Sequence, residues 1–326
     1  MVAKIFALTV GIGSYLELPA LTCPANDAKD FATVVNCGVI PSEVRLLTDT
    51  DATKDSILKE LAWLVQSSRP SDTAILFFSG HGGQASNRQA LLCPVDAQAA
   101  NFEMTCLSCD EVSKALRAIK SGRLVVFLDT CYSGGFVDLP GAMQIAAGVT
   151  QSNADAMIEG KGRMILAASQ PNSATLESST MRNGAFSTYL LKALHGDVAQ
   201  ADGRVWASDV FSFVAHRMRR HHFQAVYHKT VGDNFVIMAH DRHQQAPMAL
   251  TWTASQRALR VAMFSSYDRA DLSRLCTEIG TDIEHLPGRT LETQILDLID
   301  FCHRHGLRDR LLEFIYSDHP ELFTAV

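Results

Sequence analysis

Leu124-Val-Val-Phe-Leu-Asp-Thr-Cys-Tyr-Ser-Gly-Gly135 is an apolar run that ends in a carboxylate, a thiol and two glycines. Residues 124–128 carry no polar alternation, which predicts a strand buried on both faces. Gly134 and Gly135 let the backbone turn away where the run stops. Cys131 is thereby expected at the mouth of a strand, with Asp129 two positions earlier on the same side of the extended backbone. A second stretch upstream has the same design, Ala74-Ile-Leu-Phe-Phe-Ser79 followed by Gly80-His-Gly-Gly83. If the two strands are neighbours, His81 and Cys131 meet at their ends as a nucleophile and its base.

Outward from these two runs, strands and helices alternate. Strands are expected at 4–10, 44–47, 74–79, 124–129, 164–168 and 234–239. Helices are expected at 26–37, 53–66, 110–120, 186–194 and 207–219. Residues 80–90 read as a loop, and residues 138–162, rich in small side chains and without period, as a mobile loop or weak helix. The pattern predicts an α/β fold, a mostly parallel sheet with helices on both faces. At His240 the character changes. Residues 241–250 are polar and linker-like, and beyond them only helical spacing remains, at 259–264, 272–279, 291–302 and 311–315. Gly280 and Gly306 stand where helix stops belong. The organisation expected is one domain over 1–240, a linker over 241–250, and a small all-helical bundle of about four helices over 251–326.

Composition bounds the function. The 326 residues are 47% hydrophobic and 20% charged, with a net charge of −6, which fits a globular chain with ample core and argues against nucleic acid held by bulk charge. The basic run His216-Arg-Met-Arg-Arg-His-His222 lacks interleaved aromatics and reads as a solvated helix face. The opening residues are read as a buried first strand rather than a signal peptide, because no small-residue cleavage site follows. No apolar run is long enough to span a bilayer. The eight cysteines are therefore expected to be reduced thiols in a cytoplasmic protein. Cys106-Leu-Ser-Cys109 has the spacing of a zinc or redox pair, but no second pair stands nearby, and Ser108-Cys-Asp-Glu111 reads as a capping box. The tail from Thr251 carries eight Arg, no Lys and twelve acidic residues, a surface suited to protein contacts and equally to an ordinary solvated helix.

The chemical residues resemble the caspase-like cysteine peptidases, in particular the metacaspase and paracaspase branch, over about residues 4–240. Phe78-Ser-Gly-His-Gly82 is similar to that family's histidine motif and Asp129-Thr-Cys-Tyr-Ser-Gly134 to its cysteine motif, fifty residues apart. Asn26-Asp-Ala28, the segment 49–53 and Gly184-Ala-Phe-Ser-Thr-Tyr-Leu190 match softer family features in order. Residues 252–323 resemble the effector-associated, death-domain-like adaptor domains of bacterial conflict proteins, on apolar spacing alone.

The resemblance implies a cysteine endopeptidase with Cys131 as nucleophile, His81 as general base and then acid, and no required third member. It implies an oxyanion hole made by the backbone N–H groups of Gly82 and Cys131, with Gly82 leaving room for substrate backbone. Caspases that cut after aspartate carry Gln where this chain has Asp129. Together with Asp27 and Ser79, Asp129 is expected to form a pocket for Arg or Lys, Arg preferred for its planar fork. Asp27 also reads as an ordinary helix-start carboxylate. Self-cleavage is expected, if anywhere, after Lys161 or Arg163. Calcium is not expected to be required: Asp138, Asp110 and Glu111 match acids of calcium-binding relatives, but Gln89 stands where another would be, and calcium takes six to eight oxygens. No metal site is expected. The expected partners are protein substrates with Arg or Lys at the cut and an adaptor or effector met through 251–326, in bacterial defence or stress-induced death. Two other readings stay open: an idle caspase-fold scaffold, and a thiol redox enzyme using Cys106 and Cys109.

Overall fold

A computed structural model of the chain describes residues 3–87, 89–131, 155, 157–169, 182–200, 202–220, 226–241, 263–264, 267–305, 307, 311 and 314–315. It divides into two compact units, Met1–Gln245 and Ala246–Val326. The expected linker lies almost wholly outside the described residues, as do 138–154.

The first unit is built on β1 (Ile5–Gly11), β2 (Ser42–Thr48), β3 (Thr73–Gln84), β4 (Ala90–Leu92), β5 (Leu107–Ser108), β6 (Arg123–Cys131), β7 (Arg163–Ser169), β8 (Arg204–Trp206), β9 (Val226–Val231) and β10 (Val236–Ala239). Its helices are α1 (Pro24–Cys37), α2 (Lys54–Ser67), α3 (Phe102–Thr105), α4 (Cys109–Ala118), α5 (Ala185–Lys192) and α6 (Ala207–Arg220). The main sheet runs in the order β2-β1-β3-β6-β7-β9. The first five strands are mutually parallel, and β9 closes the edge antiparallel to β7. Successive side chains alternate between faces. Leu76, Phe78, Val126 and Leu128 therefore pack with Ile57, Leu61, Val112 and Leu116 of α2 and α4. Ile75, Phe77, Val125 and Phe127 pack with Phe31 of α1, Phe186 of α5 and Val210 of α6. Helices cover both faces, as the strand–helix alternation predicts.

Two expectations need correction. The loop expected at 80–90 is shortened: β3 continues to Gln84 and pairs antiparallel with β4, Gly82 opposite Leu92, so only the stretch between Gln84 and Ala90 connects them. Glycine weakens a strand, but the buried pair Leu91 and Leu92 gives this one a partner to pack and bond against. The strand that closes the main sheet is β9, whose polar alternation at Tyr227, His228 and Lys229 hides it; β10 pairs instead with β8 in a separate two-stranded sheet. The helix expected at 110–120 is α4, and it opens through the expected capping box of Ser108 and Glu111. Of the two alternatives for 138–162, the described end favours the helix: residues 155 and 157 are helical, and Met157 and Ile158 are fully buried in the core.

In the second unit α7 (Arg269–Ile279) and α8 (Leu291–Arg304) are described. Gly280 adopts the left-handed conformation that ends α7. Leu272, Leu275, Ile295, Leu298 and Cys302 form its core with Met263, Leu311 and Ile315. The outer stretches, 259–262 and most of 308–315, lie outside the described residues, as does Gly306.

Candidate active site

Three layers stack at the ends of β3 and β6. The lowest is apolar. The Phe31 ring stacks on Phe77, centroids 4.4 Å apart, and meets Phe127 edge-on at 5.6 Å. Asp27 lies one helical turn before Phe31 on the same face of α1, while Ser79 and Asp129 lie two residues beyond Phe77 and Phe127. The aromatic contact therefore fixes where the next layer forms.

That layer is polar and buried. Ser79 and Asp129 are register partners, and Asp27 and Asp129 are only 1% and 6% exposed. The Ser79 hydroxyl donates to Asp27 Oδ2 at 3.0 Å. The Gly184 N–H donates to Asp27 Oδ1 at 3.0 Å, and the Ser187 hydroxyl to Asp129 Oδ2 at 2.7 Å. Gly184 sits between the carboxylates: an added Cβ would lie 3.2 Å from Asp129 Oδ2 and 3.4 Å from Asp27 Oδ2. Burial, and then the charge of Asp129, push Asp27 up from 3.8 to about 7. All three residues expected to form the pocket thus come together. Gly184 and Ser187 were not singled out for it, because a serine within the apolar turn Ala185-Phe-Ser-Thr-Tyr-Leu190 carries no chemical signal of its own.

The uppermost layer pairs His81 with Cys131, directly opposite each other on adjacent parallel strands whose backbones are about 4.8 Å apart. The Cys131 side chain lies outside the described part of the structure. His81 is fully buried, and its Nε2 lies 2.8 Å from the Pro19 carbonyl oxygen. A carbonyl only accepts, so Nε2 carries the hydrogen and the neutral ring keeps its lone pair on Nδ1. This third partner of the histidine was not legible, since a backbone carbonyl belongs to every residue. At Gly82 an added Cβ would press to 3.1 Å of Thr130 Cβ.

Other candidates have structural occupations. Arg163 is buried, and its guanidinium donates to the carbonyls of Leu116 and Ile119 at 2.8 and 3.1 Å, capping the end of α4. The bond after it enters a central strand, so cleavage after Arg163 is corrected to a helix-capping role, whereas Lys161 is exposed. Glu111 closes the capping box and lies 3.5 Å from Lys54. Asp138 lies outside the described residues, among which no group of three or more metal-ligating side chains is found. Cys106 faces Cys93, Sγ to Sγ 3.7 Å, in one cluster, while Cys109 is buried in another. The CxxC spacing therefore does not assemble a pair. Arg217 of the basic run is buried over the Phe213 ring, 5.0 Å from its centroid. No described helix is long and apolar enough to cross a membrane.

A sheet of this topology with His81 and Cys131 in register at its carboxyl end is the arrangement of a caspase fold, and the family model of the caspase domain matches residues 4–251. The chain belongs to the caspase domain family. Residues 259–320 match the model of effector-associated domain 7. Among curated relatives, metacaspase-2 of Trypanosoma brucei brucei is 33% identical over 152 residues, 41% of this chain and 43% of its own length. Metacaspase-1 of Ajellomyces capsulatus is 30% identical over 152 residues, 41% and 42% of the two chains. The chain spans less than half the length of these relatives. A crystal structure of a Geobacter sulfurreducens protein superposes with a TM-score of 0.49 at 21% identity, covering 71% of this chain and 94% of that one.

Proposed function

We propose that this chain is a cysteine endopeptidase that cuts proteins after Arg, and less readily after Lys. The observation that carries the reading is the two-residue offset between the layers. The same two strands present His81 and Cys131 at one level and Ser79 and Asp129 one step below, where α1 adds the buried carboxylate of Asp27. A basic side chain lowered between the carboxylates would leave its own carbonyl at the level of the dyad.

The chemistry follows from the histidine's tautomer. Nδ1 takes the thiol proton as Cys131 Sγ attacks the scissile carbonyl, and Pro19 steadies the imidazolium through Nε2–H. The backbone N–H groups of Gly82 and Cys131 are the donors proposed for the oxyanion, a type of contact worth about 3–4 kcal/mol each. The imidazolium returns the proton to the leaving amine as the C–N bond breaks. Water, deprotonated by the same nitrogen, then hydrolyses the thioester and frees the acid. No metal is given a role, and activity that a chelator abolishes and calcium restores would count against this.

Specificity follows from the second layer. Burial first, and repulsion by the Asp129 carboxylate second, let Asp27 hold its proton up to about 7. A guanidinium placed between them removes that repulsion and bonds both. The helical unit is proposed to bring the peptidase to an adaptor or effector, raising local concentration, in bacterial defence or stress-induced death. Incubation with a peptidyl-Arg covalent probe, wild type against Cys131→Ala, tests the reading. Labelling that depends on Cys131 is expected. Its absence would favour an idle scaffold, and labelling by a peptidyl-Asp probe instead would sink the pocket.

A further inference from the structure

The observations point past the dyad to the residue that holds its histidine. β1 accompanies β3 only as far as Gly11 opposite Ser79, with one more bond from the Ile12 N–H to the Ser79 carbonyl, 3.0 Å. Beyond it the β3 backbone has lost its neighbour on that side, and a buried N–H without a partner is costly. The Tyr15 side chain stands where the next residue of β1 would be. The His81 N–H donates to Tyr15 Oη at 2.7 Å, and that hydroxyl donates onward to the Cys93 carbonyl at 3.4 Å. The Cys93 N–H returns to the His81 carbonyl at 3.0 Å, so both main-chain groups of His81 are tied. The Tyr15 ring also lies against the imidazole, centroids 4.7 Å apart and planes 37° apart.

Gly80 belongs to the same device. It sits at φ +157°, and an added Cβ would fall 2.6 Å from Tyr15 Oη, so the glycine leaves the hydroxyl its place. The loop that carries Tyr15 is fixed from below. Asp49 Oδ1 accepts from the Gly13 and Ser14 N–H groups at 2.9 and 2.8 Å. Asp49 is the non-glycine residue with positive φ, +47°, among the described residues, a conformation held only where surroundings over-determine it. Leu16 N–H and Leu21 N–H add bonds to Val95 and Gly13, 3.1 and 2.8 Å. One anchored loop therefore supplies both the Pro19 carbonyl at Nε2 and the Tyr15 hydroxyl at the main chain.

We propose that Tyr15 is a positioning residue for His81, acting on proton transfer and not on substrate binding, with Asp49 as the anchor of its loop. This rests on the peptidase reading above. In the pocket Asp27 accepts from Ser79 and Gly184 and Asp129 from Ser187, donors that lie outside the Tyr15 loop, so the two functions separate.

The test is Tyr15→Phe, which keeps the ring and removes the hydroxyl, assayed beside wild type on a peptidyl-Arg substrate, with melting recorded for each protein. A misplacement of the base predicts kcat lower by about 10- to 100-fold with KM within about twofold. The rate of Cys131 alkylation by a small haloacetamide, followed against pH, should lose its reactive form near neutrality in parallel. Asp49→Asn tolerates the same backbone and is a weaker acceptor, so it should move kcat the same way by less. A folded Tyr15→Phe with wild-type kcat and alkylation profile would overturn the proposal, as would equal changes in kcat and KM. If Tyr15→Phe does not fold, Asp49→Asn decides: an unchanged kcat overturns it. A wild type without Cys131-dependent turnover would instead remove the peptidase reading, and the inference with it.

Discussion

His81 has a proline carbonyl at Nε2 and a tyrosine hydroxyl at its main chain. Asp27 of α1 and Asp129 of β6, one layer below, face each other with like charge, and the Ser79 and Ser187 hydroxyls and the Gly184 N–H are among their donors. The proposed function gives each layer a different task. A base must give and take a proton in place, and Pro19 and Tyr15 fix its tautomer and its ring plane. A pocket for a basic side chain gains from carboxylates held close enough to repel each other. Two buried carboxylates supply that, because each raises the cost of ionising the other until a cation lies between them. Turnover and recognition should therefore fail independently.

The largest break in that comparison comes from His81→Ala. Removing the base should lower kcat by about 10²–10⁴-fold, while KM for an Arg substrate stays near wild type, because the carboxylate layer is untouched. Steady-state kinetics check it; a matching rise in KM would mean the layers are not separate. Asp129→Asn should do the reverse. It removes one partner of a buried charge pair, typically about 2–5 kcal/mol, so kcat/KM for Arg substrates should fall on the order of 10²–10³-fold with Cys131 alkylation unaltered.

The pH dependence sharpens the contrast. Asp27 is raised to about 7 by burial first and the charge of Asp129 second. Arg binding favours its ionised form, so KM should rise as pH falls below about 7, and binding near neutrality should release a proton. Asp27→Asn should flatten that limb. In Asp129→Asn the inflection should move to lower pH, since the repelling charge is gone. Stability carries the opposite sign. Between 3.8 and about 7 the folded protein holds a proton at Asp27 that the unfolded chain has lost, so this contribution is complete below 3.8 and is lost as pH rises through 7. Denaturation midpoints of wild type and Asp27→Asn across that window measure it.

How much of this was readable from the chain depends on what kind of group does the work. Cys131, His81 and Asp129 announce themselves as reactive side chains at the ends of apolar runs. Helices on both sides of a mostly parallel sheet follow from the alternation of the strand and helix periods. Pro19 acts through a carbonyl, Gly184 through an N–H, and neither type of group leaves a mark in the sequence. Ser187 reads as a neutral helix residue until the fold brings it under Asp129. β9 was hidden by Tyr227, His228 and Lys229, whose polarity contradicts a buried strand but suits an antiparallel edge. The Gly-rich end of β3 reads as a loop by propensity, and only its pairing with β4 overrides that.

A smaller effect is expected from Ser187→Ala. Its hydroxyl is a buried donor to Asp129, 2.7 Å away, and a hydrogen bond to a charged group is worth about 1.5–3 kcal/mol. KM for Arg should rise roughly tenfold to a hundredfold with kcat retained, less than for Asp129→Asn, because the carboxylate remains. An unchanged KM would remove Ser187 from the pocket.

The smallest effect should come from Arg182→Ala, which probes how the pocket is held from outside. Arg182 Nε and one terminal nitrogen reach Asp30 Oδ2 and Oδ1 at 2.9 and 2.7 Å, one turn of α1 beyond Asn26, whose side chain donates to the Arg182 carbonyl at 3.2 Å. Asn183 also donates to Asp30, 3.0 Å. The next residue is Gly184, the donor to Asp27. The ion pair thus steadies the backbone that enters the pocket, but the Arg182 side chain is 66% exposed, where such pairs contribute about 0.2–1 kcal/mol. Two amides hold the same backbone without it. Arg182→Ala should therefore raise KM for Arg substrates less than about fivefold, and the gap should narrow at high salt, because screening weakens the wild-type pair while the amide bonds persist. A loss as large as that of Asp129→Asn would mean that the carboxylate layer depends on its rim, and that the pocket is not the self-contained unit its burial describes.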